Sequence, residues 1–351
     1  MTGTQTVCIQ CAKEFSITPD QAALYEKMQA PAPRECPDCS LRHRLAFWPF
    51  GKFHKRTCDL TGEKIISLYP AGTRFPVYQN SAWYSDTWTP PEATIDFHRP
   101  FFEQLYELQT KTPRPHQYGS NHEHCDYSDD VWNSKNCYLC RALLDCENLA
   151  YSYRVVRCRD SFDLMYCYDA EQSYDCTYCF KVFNVRYAFD VRDSFDSTFL
   201  YDCRNVRNCF MCWNLRSKEF HILNKPYSRT DYFKQLELYR LGSHKTVQDL
   251  TSQFAELVRK RAFHKVDCNT HIIHSIGNYL TECRNCRHCY FFEQGENCIN
   301  VFRAVKNKES ADSNGFWDSE LVVGTNGLTH GYNVKFCNFC QEVRDSEYLD
   351  F

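Results

Sequence analysis

Residues 157–203 read RCRDSFDLMYCYDAEQSYDCTYCFKVFNVRYAFDVRDSFDSTFLYDC, and the phrase Arg-Asp-Ser-Phe-Asp stands in them twice, at 159–163 and at 192–196. Shorter relatives of that phrase (Asn136-Cys137, Glu147-Asn148, Gln172-Ser173, Arg207-Asn208) recur about every eleven to fourteen residues through 116–225. Between them lie aromatic and β-branched runs, Ala150–Val156, Phe180–Phe183 and Ser197–Tyr201. Polar corners alternating with short strands at a short fixed period predict a right-handed β-solenoid. Two phrases per coil make each coil roughly 20–25 residues, with Cys and small polar residues stacked inside and strands paired coil to coil.

Downstream, 226–264 breaks the pattern. Ser228-Arg-Thr-Asp231 opens one helix, carrying Tyr232, Leu236 and Tyr239, and Thr246-Val-Gln-Asp249 opens another, carrying Leu250, Phe254, Leu257 and Val258: an αα-hairpin inserted in the solenoid. From 265 to 351 the solenoid phrases return, as in Thr281–Cys286 and Lys335–Cys340. The chain ends on such a phrase with no capping element, as a truncated member of its family would.

Upstream, 57–115 holds short strands at Lys64–Tyr69 and Phe75–Tyr78 around Pro70-Ala-Gly72, then a helix over Pro100–Gln109. Residues 1–56 read CxxC, helix, CxxC. The helix opens on the capping box Thr18-Pro19-Asp20-Gln21 and stops at Ala30–Arg34. The predicted architecture is mainly β with helical insertions: a zinc ribbon (1–56), a degenerate second ribbon plus helix (57–115), a Cys-rich solenoid in two parts (116–225 and 265–351) and the helical hairpin (226–264).

Composition bounds the rest. Of 351 residues, 43% are hydrophobic and 24% charged, ordinary for a globular chain, but 16% are aromatic and 23 are Cys. A net charge of −3 argues against a chain-wide polyanion surface. No secretory leader and no membrane-length apolar run is visible, which predicts a cytoplasmic chain with reduced thiols. An odd Cys count rules out complete internal pairing.

Cys8, Cys11, Cys36 and Cys39 carry the strongest chemical signal. Two CxxC knuckles separated by a 24-residue loop supply four thiolates, enough to close a tetrahedral site around one structural Zn2+ with no position left for substrate. Cys58 and Thr61, followed by Gln79 and Ala82, repeat that layout with a single thiol, as a ribbon without its metal. Other CxxC pairs at 137/140, 176/179, 209/212 and 337/340 lie beside corner phrases and read as packing between coils. Cys283, Cys286 and Cys289, with Cys298 or Cys268 to complete a set, form a candidate second metal site. The basic and aromatic stretch around Arg42, Arg44, Trp48, Lys52, Lys55 and Arg56 offers phosphate-binding cations and stacking rings, a candidate single-stranded nucleic-acid platform. No catalytic motif is present; Asp160/Asp163 and Asp193/Asp196 recur with the coils and read as corner residues hydrogen-bonding their own turns, against a solenoid enzyme acting on a polysaccharide.

The N-terminal run CxxCxKEFxITPxD…YEKM…ECPxCxLxxRLAF, continued by KRxCDLTGxxIISxYP and FFEQLxELQ, resembles an uncharacterised zinc-ribbon family of candidate-phyla (Patescibacteria-type) bacteria. The resemblance extends through the NCYLC-type repeats, Asn224-Lys225…Tyr232 and Gly277–Leu280. It implies zinc on Cys8, Cys11, Cys36 and Cys39. Relatives often keep a second Cys set, from which this chain departs at Thr61, Gln79 and Ala82. Some relatives carry a CaiB/BaiF acyl-CoA-transferase label that no residue here supports. Together these readings predict a zinc-binding, non-enzymatic binding or scaffold protein whose partner is a protein or a nucleic acid rather than a membrane.

Overall fold

A computed structural model describes residues 3–46, 52–284, 286–293, 298, 308–312, 314–315, 318–337, 340 and 342–347. It is mainly β, 35% strand against 19% helix, and is built around a β-solenoid of about nine turns. The chain divides into two compact units, residues 51–263 and residues 1–50 with 264–351.

In the 51–263 unit the solenoid register is constant. Leu143 pairs in parallel with Val155, Leu149 with Ser161, Val182 with Ser194 and Leu200 with Cys212, each twelve residues on. The coil is therefore twelve residues, and the recurring phrase marks a whole coil rather than half of one. The compression has a backbone cause. From Asp130 to Leu223 every third residue has φ between 46° and 59°. A left-handed residue turns the chain, so each side of the coil is three residues long: one inward, one extended and outward, one at the corner. Every third residue from Cys125 to Cys212 is accordingly buried, and the set is Cys, Ser, Val, Leu and Ala.

Left-handed φ costs an ordinary L-residue about 1–2 kcal/mol, least for Asn and Asp, and many corners are Asn or Asp. The corners also recover energy from stacking. Asn136 donates to Asn148 at 3.0 Å, Asn148 to Asp160 at 2.7 Å and Asn184 to Asp196 at 3.0 Å. Tyr187 stacks on Phe199 with ring centroids 4.7 Å apart. Asp160 and Asp196 are thus corner residues as predicted, but their partners lie one coil away. The twelve-residue repeat brings like corners into vertical register, which favours the ladder over a local turn.

Inside, the narrow core satisfies its own backbone. The Ser161 hydroxyl donates to the Arg159 carbonyl at 2.6 Å and accepts from the Ser173 N–H at 3.0 Å. Ser134, Ser173 and Ser197 each accept in the same way from the inward residue of the next coil. Cys146, Cys158, Cys176 and Cys179 point their sulfurs at carbonyls two residues back, at 3.2–3.5 Å. A thiol fills this space as a small apolar group and still hydrogen-bonds.

The helical hairpin lies in the same unit. The helix Arg229–Leu238 is capped by Ser228 and the helix His244–Arg261 by Ser243, three residues before the expected Thr246. Tyr232, Leu250 and Phe254 pack on the outward Phe199, Phe210 and Met211, so the hairpin covers one side of the last coils.

The second solenoid segment, in the other unit, has Ile276–Thr281 parallel to Arg287–Glu293 and a further bridge from Gly324 to Phe336. Leu280, Cys283, Cys286, Cys289, Cys298, Val322 and Val334 form its core.

Ser161→Ala leaves the buried Ser173 N–H without its acceptor. The expected loss is ~1–3 kcal/mol in denaturant unfolding, with Ser161→Cys, which keeps a weaker acceptor, losing less. Equal stability of the alanine variant and wild type would show that these hydrogen bonds do not hold the coils.

Candidate metal centre

The first knuckle grows from the antiparallel hairpin of β1 (Thr4–Val7) and β2 (Glu14–Ile17). At its tip the Cys8 N–H donates to the Lys13 carbonyl at 2.9 Å, and the Ala12 N–H to the Cys8 carbonyl at 3.0 Å. Ala12 takes the left-handed conformation this turn requires, with φ 57°. α1 (Pro19–Lys27) follows, closed by the predicted capping box between Thr18 and Gln21. The second knuckle opens α2 (Pro37–Leu45): Cys36 is its N-cap, Pro37 its first residue, and Cys39 lies in the first turn. The Ile9 N–H donates to the Arg34 carbonyl at 3.1 Å and ties the knuckles together.

The four sulfurs of Cys8, Cys11, Cys36 and Cys39 lie within 4.8 Å of one another. Cys11 and Cys36 sulfurs are 3.8 Å apart. Cys8, Cys36 and Cys39 are buried and Cys11 is exposed. Burial pushes the Cys8 thiol up, but N–H donors of Cys36, Cys11 and Gln10 outweigh it and bring its pKa to about 6; the Cys36 N–H lies 3.2 Å from the sulfur. Cys39 is pushed up to about 12 by hydrogen bonding with Cys11, then by burial and by Cys36 and Cys8. Four crowded sulfurs cannot all ionise beside one another without a cation, and a divalent ion among them removes that conflict. The set could hold a metal ion, and four thiolates leave no coordination position for substrate.

The Cys58 region rebuilds this knuckle without the ligands. β3 (His54–Thr57) and β4 (Lys64–Ser67) form the hairpin. The Cys58 N–H donates to Glu63 O at 2.8 Å, Gly62 N–H to Cys58 O at 3.0 Å, Asp59 N–H to Val77 O at 3.0 Å, and Gln79 N–H to the Cys58 sulfur at 3.2 Å. Each bond has its counterpart at Cys8. Gly62 occupies the left-handed turn with φ 77°, and α3 (Asn80–Trp83) stands where α2 stands. The thiol is buried, which raises its pKa, yet the Thr61 hydroxyl and the N–H groups of Gln79, Thr61 and Leu60 bring it below its usual value. Thr61, Gln79 and Ala82 thus occupy the remaining ligand places. The strands predicted on either side of Pro70-Ala-Gly72 do not pair with each other. β4 pairs with β3, while β5 (Val77–Tyr78) runs parallel to β6 (Arg114–Pro115), because the chain needs that stretch to close the second knuckle.

The later sulfurs do not gather. Among the described residues, Cys8, Cys11, Cys36 and Cys39 form the one converging set. The Cys286 sulfur donates to the Arg284 carbonyl at 3.4 Å, and Cys283, Cys286, Cys289 and Cys298 lie buried in the core of that segment. Cys337 and Cys340, expected as packing thiols, are joined by a disulfide.

The basic stretch is divided among different tasks. Arg42, Lys52 and Lys55 are exposed. Arg44 is not: its side chain is 12% exposed, with Nε 3.3 Å from Asn314 Oδ1 and Nη1 3.8 Å from Asp312. Arg56, 5% exposed, donates to Pro70 O at 2.9 Å and Asp59 at 2.8 Å. Trp48 lies outside the described residues. Sequence reading missed Glu309 and Asp312, which meet Lys27, Tyr25 and Arg44 from far along the chain; no local pattern announces such pairs.

The chain matches no protein-family model and no curated protein sequence. No described helix is long and apolar enough to cross a membrane.

Placing Cys at Thr61, Gln79 and Ala82 together should give the chain one additional bound metal in native mass spectrometry, since the backbone around Cys58 already matches that around Cys8. Unchanged stoichiometry in a folded triple variant would show that the two knuckles differ in more than their ligands.

Proposed function

We propose that Cys8, Cys11, Cys36 and Cys39 hold one structural Zn2+, and that the chain is a non-enzymatic scaffold or binding protein of the zinc-ribbon family it resembles. The convergence of four thiol ligands, with no His, carboxylate or open position among them, carries the reading. Sulfur-only tetrahedral sets suit Zn2+ and iron among common metals. The single closed site, standing apart from any paired catalytic carboxylates, suits the structural ion. The solenoid supplies a stiff, regular surface, interrupted among the described residues by the helical hairpin; repeat proteins of this kind bind partners on such surfaces. Of the 23 cysteines, 21 stand outside any disulfide, which suits a reducing, cytoplasmic setting.

Metal analysis of the chain isolated without added metal should find one zinc per molecule, and Cys8→Ser/Cys36→Ser none. Structural zinc contributes about 10–16 kcal/mol to small ribbons, so chelation should abolish the ribbon's ordered signals while the solenoid's β signature in circular dichroism persists. Absence of metal, or iron in its place, would overturn the assignment.

A further inference from the structure

We infer that the face of the second solenoid segment around Glu309, Asp312, Ala311 and Val323 is an interaction surface whose occupant is the chain's own N-terminal ribbon, clasped there by the metal. The inference rests on the metal reading above and adds a regulated contact to it.

The contact has an apolar half and a polar half. α1 buries Leu24, Tyr25 and Met28 against Ala311 and Val323, with Phe336 alongside. Around that patch the Tyr25 hydroxyl meets the Asp312 carboxylate, and Lys27 Nζ lies 2.6 Å from Glu309 Oε1. Arg44, on α2, reaches Asn314 and Asp312. Glu309 and Asn314 are 6% and 1% exposed. The polar half is incompletely matched: Arg44 Nη2, Glu309 Oε2 and Asn314 Nδ2 are buried and find no hydrogen-bond partner among the described residues. Removing charged groups from water without full pairing recovers little net energy, so the clasp depends on its groups being held in place beforehand.

The metal ligands hold them. α1 lies in the loop between Cys11 and Cys36, and closing that loop through one ion removes most of its freedom. α2 has no side-chain cap at Cys36, and its ligands Cys36 and Cys39 occupy the end where a cap would act. A metal bound there anchors the helix that carries Arg44. Without the ion both helices lose their fixed ends, and the unmatched charges of the solenoid face return to water. Docking and metal binding are then linked, and each strengthens the other by the same factor.

Hydrogen–deuterium exchange of the full chain reads the clasp directly. The peptides bearing Leu24–Lys27 and Glu309–Asp312 should be protected together in the zinc-loaded protein. Chelation should speed exchange in both at least tenfold, and zinc should restore the protection. The strand Ile276–Thr281 of the same solenoid segment serves as the internal control and should exchange equally in both states. Asp312→Asn, which leaves all four ligands intact, should speed exchange at both peptides with zinc bound and give up zinc at a roughly five- to tenfold lower chelator concentration. Protection at Glu309–Asp312 unchanged by chelation in a chain that binds zinc would overturn the clasp and leave the metal site standing. A chain that binds no zinc would overturn both.

Discussion

The solenoid stands on the satisfaction of backbone groups inside a core too narrow for water. With an inward residue every third position and a left-handed residue before it, part of the backbone N–H and C=O set faces the interior and not the ladder. Serine hydroxyls answer those groups directly, as Ser161 does for Ser173 and Arg159. Cysteine answers the carbonyls and fills the remaining volume. Valine, leucine and alanine are tolerated in the same columns where the neighbouring coil or the ladder meets the requirement. The high cysteine count is therefore mostly a consequence of coil geometry, because an unmatched buried amide costs more than any single apolar contact returns.

This explains which parts of the fold were legible in the sequence. The repeat was visible because Arg-Asp-Ser-Phe-Asp stands identically at 159–163 and 192–196. Its period was misjudged because strands were sought with alternating inward and outward residues, whereas these sides are three residues long. The signal for the true coil was present: from Cys125 to Cys212 every third residue is small or apolar, a period that neither ordinary helix nor ordinary strand would give. The helical hairpin was legible from its apolar spacing, and its second cap was misplaced by three residues because Ser243 and Thr246 are equally good caps in isolation.

The metal centre was legible because ligand spacing is local and chemically narrow. Arg44 was not. In the sequence it belongs to a run of cations beside aromatic residues, and only tertiary structure brings Asp312 and Asn314 to it across more than 260 intervening residues. Arg56 is drawn inward for a different reason, to hold the turn that shapes the second knuckle. Three exposed cations, Arg42, Lys52 and Lys55, remain of a stretch that looked like a continuous basic strip.

The two knuckles compare one backbone shape with four candidate ligands and with a single sulfur. Around Cys58 the turn, the hairpin and the donor N–H groups persist with one sulfur, held by the burial of Val77 and its pairing with Arg114–Pro115 in the same unit. Around Cys8 the equivalent backbone carries a longer insertion with its own helix, and that helix, rather than a sheet, makes the knuckle's tertiary contacts. A short knuckle tied into a sheet can dispense with the ion. A long one whose contacts sit at the far end of a 24-residue loop has more to gain from a cross-link at its base, because the loop's freedom must be removed before those contacts form. The presence of four ligands in the first ribbon and one in the second follows from that difference in loop length and support.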